Sequence, residues 1–70
     1  MNQHQLILEY LAKNGYITAK EAMNKLGIGR LASRVNELRQ GGYNIITSWQ
    51  KEIKPNGKHS RYAAYYMEAT

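Results

Sequence analysis

The chain has no cysteine and no phenylalanine, no aspartate, a single proline and no long apolar run. Without thiols, neither a disulfide framework nor a thiolate zinc site can hold the fold together. The longest apolar stretch, Tyr62 to Met67, is far short of the roughly 20 residues that a membrane-spanning helix needs. The polar opening Met1-Asn2-Gln3-His4-Gln5 lacks the apolar core of a signal peptide, so a soluble, cytoplasmic protein is expected. His4 and His59 lie far apart, with no Cys, Asp or nearby Glu at ligand spacing, and no metal is expected. Pro55-Asn56-Gly57-Lys58 does not match the G-x-x-x-x-G-K-[ST] phosphate loop, and no Ser-His-acid set is suggested. These absences speak against an enzyme and against a cofactor.

What the chain does have is charge of one sign. Its 70 residues carry ten Lys and Arg against five acidic residues, all Glu, for a net charge of +5 and an isoelectric point near 9.7. With 43% hydrophobic residues it is a foldable chain and not a disordered tail. A chain of this length buries only about 60% of the surface its unfolded form exposes, so a thin core and marginal stability are expected. Such a core seldom encloses a pocket of several hundred Å³, which favours binding over catalysis. No linker, repeat or low-complexity segment divides the chain, and residues 1–70 read as one domain.

Start and stop signals set out the order of elements. Asn2 with Gln5 is a helix-capping pattern, and Ile7, Leu8, Tyr10 and Leu11 fall on one arc of about 160°, so a first helix is expected over about 3–13. Asn14 and Gly15 tolerate the left-handed conformation that ends helices, and Tyr16-Ile17-Thr18 reads as a short strand. Thr18 with Glu21 forms a T-x-x-E capping box opening a second helix over about 19–26, with Ala22, Met23 and Leu26 inward. Gly27 stops that helix, Ile28 supplies the apolar contact that accompanies such a stop, and Gly29 stands where a third helix would be capped. The third helix, about 30–40, carries Leu31, Val35 and Leu38 as a core stripe and ends at Gly41-Gly42.

Two short helices joined by a three-residue, glycine-containing turn form a helix-turn-helix. Beyond Gly42 the pattern turns to strands over about 44–67, with Asn56-Gly57 as the hairpin signal. If those two residues form the loop, Glu52 stands opposite Arg61, Trp49 opposite Ala64 and Ile46 opposite Met67. Helix, short strand, helix, turn, helix and hairpin together make an α+β winged helix-turn-helix. In a domain without Phe, Tyr10, Tyr43, Tyr62, Tyr66 and Trp49 are expected to supply core bulk, not to stack on bases, while Tyr65 is left open.

The run Leu26-Gly-Ile-Gly-Arg-Leu-Ala-Ser-Arg-Val-Asn-Glu-Leu-Arg39, then Gly42-Tyr-Asn-Ile45, then the strand beginning Arg61-Tyr62, resembles small winged helix-turn-helix proteins common in phage and prophage genomes. The resemblance spans Leu6 to Met67. It implies DNA binding in a bacterial host cell and the use of the third helix as recognition helix. Gly29 departs from the Thr or Ser that such proteins commonly carry there, leaving backbone N–H groups in place of a hydroxyl contact.

The distribution of charge agrees with that implication. Arg30, Arg34 and Arg39 against Glu37 leave the third helix positive, and Lys51, Lys54, Lys58 and Arg61 against Glu52 leave the hairpin more so, while Glu9 and Lys13 cancel on the first helix. In a winged helix the third helix meets the major groove, and the wing meets the backbone or an adjacent minor groove. The face opposite the core stripe collects Gly29, Ser33, Asn36, Glu37 and Gln40, flanked by Arg30. Arg can read guanine, and Asn or Gln adenine.

The expected contacts are thus Gly29, Arg30, Ser33, Arg34, Asn36 and Gln40 on the helix, Thr18 and Lys20 at the start of the second helix, and Lys54, Asn56, Lys58, His59 and Arg61 on the wing. For Arg34 the alternative is an ion pair with Glu37 or Glu21, and Glu37 is expected to orient an Arg, the alternative being to accept from a cytosine amine. Arg39 is expected to be structural or solvated. Sequence-specific binding of double-stranded DNA by a small regulator is the leading reading. With roughly four to six phosphate contacts it implies a log–log salt slope of about −4 to −5. Two alternatives stay open: an excisionase-like architectural factor, and a module that binds a host or phage protein. The second is disfavoured because apolar residues do not gather on the recognition face. No heptad or exposed apolar stripe selects a homodimer, which also stays open.

Overall fold

A computed structural model describes residues 2–68. Its elements follow the expected order: α1 (Gln3–Asn14), β1 (Ile17–Thr18), α2 (Ala19–Glu21), α3 (Leu31–Gln40), β2 (Ile45–Ile53) and β3 (His59–Met67). The caps act as their residue types dictate. Asn2 Oδ1 accepts from Gln5 N–H at 2.8 Å, and Gly15 leaves α1 in the left-handed region at φ 86°. Thr18 Oγ1 accepts from Glu21 N–H and donates to Glu21 Oε1, both at 3.2 Å.

Helix two departs from an even α-helix. After Glu21 it widens into a π-helical segment, Ala22–Leu26, which Gly27 closes by directing its N–H toward the carbonyls of Ala22 and Met23. Ile28 N–H also reaches back to Ala22 O at 3.0 Å, and its side chain is buried as the stop motif requires. Met23, expected inward, is 53% exposed. Helix two buries only a narrow stripe, Ala22 with Leu26 one turn on, and Met23 lies over the turn instead. A Cβ added to Gly29 would meet Met23 Cε at 3.2 Å. Gly29 is not the cap of α3: Arg30 holds that position, without a side-chain capping bond, so residues 27–30 form the turn.

The core gathers Ile7 and Leu11 from α1, Ile17 from β1, Ala22 and Ile28 around the helix-two stop, Leu31, Val35 and Leu38 from α3, and Ile45 from β2. The expected α3 stripe is therefore the one that is buried. Leu6, Leu8, Tyr10, Leu26 and Tyr65 pack against this cluster. The sheet is antiparallel in the order β1-β3-β2, with Ile17 opposite Tyr65 and Thr18 opposite Ala64. This α+β arrangement of three helices and a three-stranded sheet ending in a long hairpin is the winged helix-turn-helix architecture.

The hairpin register differs from the expectation by one residue. Trp49 pairs with Ala63, Lys51 with Arg61, Glu52 with Ser60 and Ile53 with His59. Pro55 is the cause. Its fixed φ suits the second position of a type I turn, leaving only Gly57 to take positive φ (82°), and Gly57 N–H donates to Lys54 O at 2.9 Å. Lys54 N–H then bonds Lys58 O, which closes a three-residue loop instead of the two-residue one that Asn56-Gly57 suggests. A one-residue slip exchanges the faces. Ile45, Thr47, Trp49, Lys51 and Ile53 share the helix-facing side with Tyr65, Arg61 and His59, whereas Ser48, Gln50, Tyr62 and Tyr66 lie on the outer side.

The aromatic expectation holds for Tyr10 and fails for the other four. Tyr43, Tyr62 and Tyr66 are exposed, and Trp49 is 65% exposed. Tyr65 packs on the core, as does Tyr10, whose hydroxyl donates a short hydrogen bond to Glu21 Oε2. That bond ties α1 to α2 and raises the Tyr10 pKa, since losing the proton would place a second negative charge beside the carboxylate.

Candidate nucleic-acid interface

With Leu31, Val35 and Leu38 buried, helical geometry turns the opposite face of α3 outward. Gly29, Arg30, Ser33, Asn36 and Gln40 are all exposed, and they run along the turn and α3 as one polar surface. No acidic residue occupies the first turn of α3 and no side chain of the described residues caps it, so no carboxylate there offsets its positive dipole end.

Arg34 sits apart from that surface. It is half-buried, and its NH1 donates to Glu37 Oε1 at 2.8 Å, so of the two glutamates it pairs with Glu37. Its Nε is buried with no hydrogen-bond partner among the described residues. The same Glu37 oxygen is bonded to His4 Nε2 of α1 at 2.7 Å. That bond is the main reason the Glu37 carboxyl is held below its ordinary pKa; partial burial opposes it and the Arg34 charge adds to it. Glu37 therefore orients an Arg, as expected. Arg39 is structural: its Nε donates to Ile45 O at 2.7 Å and its NH2 to Thr47 Oγ1 at 2.8 Å, clamping the end of α3 to β2.

At the start of α2, Thr18 is buried and its hydroxyl is committed to Glu21, while Lys20 is exposed. Lys20 lines a groove of about 420 Å³, with Tyr16, Glu21, Lys51 and Tyr62, between helix two and the hairpin. On the wing, Lys54, Lys58, His59 and Arg61 are exposed. Asn56 spends its Oδ1 on Lys58 N–H at 3.0 Å, which makes it a turn former. Among the described residues the ion pairs are His4–Glu37 and Arg34–Glu37, so the wing cations are unpaired.

The hairpin register sets two further residues beside those expected from sequence. Lys51 stands directly opposite Arg61, and Trp49 lies on the same side of the hairpin. The signal for both was present in Lys54-Pro55-Asn56-Gly57, whose Pro and Gly positions fit a type I turn. No helix of the described residues is long and apolar enough to cross a membrane.

No curated protein matches the chain in sequence. The family model described as "Winged helix-turn-helix domain" matches residues 2–70, and the chain belongs to that family.

Proposed function

We propose that this protein binds double-stranded DNA sequence-specifically and acts as a small transcriptional regulator of phage or bacterial origin, working in the cytoplasm of the host cell. Family membership points to DNA binding. The observation that carries the reading further is the pairing of an exposed polar face on α3 with a wing whose cations have no carboxylate partner. In this reading Arg30, Ser33, Asn36 and Gln40 read base edges. Lys20, Lys54, Lys58, His59 and Arg61 hold phosphates, joined by the backbone around Gly29 and Asn56. Thr18 acts by starting the helix that carries Lys20. Arg34 supports the recognition face while Glu37 holds it and reaches phosphate once released.

Selection of sites from a random duplex pool at two salt concentrations tests this. A recovered consensus, with affinity falling at a log–log slope of about −4 to −5, is expected. A slope near zero on every duplex would sink the proposal. One observation favours an excisionase-like architectural role as a second reading: the exposed Trp49 and Ile53 amid wing cations. Recovered sites upstream of promoters would decide for the regulator, and sites at a recombination locus for the architectural role.

A further inference from the structure

The hairpin breaks two local rules on one face. Lys51 and Arg61 are direct cross-strand partners, and like charges so placed repel. Glu52, next in the chain, stands at an alternate position and accepts from Ser60 Oγ at 3.5 Å, and neither Lys51 nor Arg61 is in an ion pair among the described residues. On the same face Trp49 and Ile53 flank Lys51 and are 65% and 70% exposed. A lone exposed apolar residue is ordinary, but here two large ones alternate with cations where the helix-facing side of the hairpin runs out past the core. Lys51, His59, Ser60 and Arg61 also bound a cleft of about 320 Å³. Local rules are broken most often where a surface is built for a partner.

Charge complementarity identifies that partner as a polyanion, and the apolar side chains require one with apolar surface between its charges. Duplex DNA supplies both, with phosphates along the rim and sugar and base edges in the groove. The placement also fits. Ile45 and Thr47, on this same face, meet the core and Arg39 at the end of α3, so Trp49 continues the side of the sheet on which α3 lies. One duplex can therefore meet both.

We infer that Trp49, with Ile53 beyond it, inserts into the minor groove beside the recognition helix as an apolar wedge, while Lys51 and Arg61 grip one phosphate between them. This rests on the DNA-binding reading and adds a contact to it. The phosphate relieves the Lys51–Arg61 repulsion, and the wedge removes the exposed indole from water. Apolar side chains used in this way open base steps and bend the duplex.

The lone tryptophan makes the test direct. A mixed-sequence duplex titrated at low salt should quench and shift Trp49 emission. Trp49→Ala should weaken binding about tenfold with an unchanged salt slope, because the lost contact is not ionic, and Trp49→Phe should recover most of the loss. Lys51→Gln should instead flatten the slope by about 1. Full duplex binding with constant Trp49 emission and an unaffected Trp49→Ala variant would overturn the wedge and leave the proposed function standing. Stronger quenching by a single strand than by the duplex would also overturn it. No binding to any duplex would remove the proposed function and the wedge together.

Discussion

At Glu37 one carboxylate oxygen joins a ring nitrogen of His4 to the guanidinium of Arg34, and so joins α1 to the outward side of α3. The folded chain holds this carboxyl below its unfolded pKa. Its contribution to stability is therefore present above the ordinary carboxylate range and is lost as the pH falls through the folded value. The acid limb of a melting-temperature curve against pH should be shallower in Glu37→Gln than in the parent. The same variant removes a negative charge beside the proposed recognition face and releases Arg34, so its affinity for DNA should depend more steeply on salt, by about one unit of log–log slope. Arg30→Ala should cost about 1–3 kcal/mol of binding and relax the preference at one base position in site selection. The Arg34–Glu37 pair was legible at i, i+3 spacing. The His4 contact was not, since it exists only once α1 packs across α3, a contact that bridges 33 positions of sequence.

Among the elements, those held by local chemistry were read closely and those held by tertiary geometry were not. Asn2, Gly15, the Thr18–Glu21 box and the Gly27 stop all act where their side chains or backbone freedom place them. Thr18→Ala should cost about 1 kcal/mol in urea unfolding through loss of the cap, since its hydroxyl answers the Glu21 N–H. The π-helical widening of helix two has no comparable local mark. The hairpin shows two local signals in conflict: Asn-Gly favours a two-residue turn, yet the proline before it fixes the longer one. That single residue decided which face Trp49 and the tyrosines occupy, so the exposed side of the wing stayed hidden from alternation alone. Gly57→Ala would force a side chain into positive φ and should weaken the wing by about 1–2 kcal/mol. Faster amide exchange confined to β2 and β3 would report it.

The molecule as a whole is less compact than its length implies. Its radius of gyration is 12.7 Å, against about 11 Å for a compact domain of this size, because the hairpin projects beyond the core. With total stability of roughly 4–10 kcal/mol on per-residue averages, a single core deletion is a large fraction. Ile17 is fully buried, and Ile17→Ala should lose about 2–5 kcal/mol and leave much of the population unfolded at 37 °C, as measured by circular dichroism. The sheet order also leaves β2, nine residues long, without a neighbour on its outer side. An open strand edge invites pairing with any other extended chain, its own copies included. Lys51 and Glu52 lie on that edge, with Arg61 beside them on β3. Beyond the proposed contact with DNA, the same side chains guard the edge against self-assembly, so a wing stripped of its charges would forfeit solubility along with that contact.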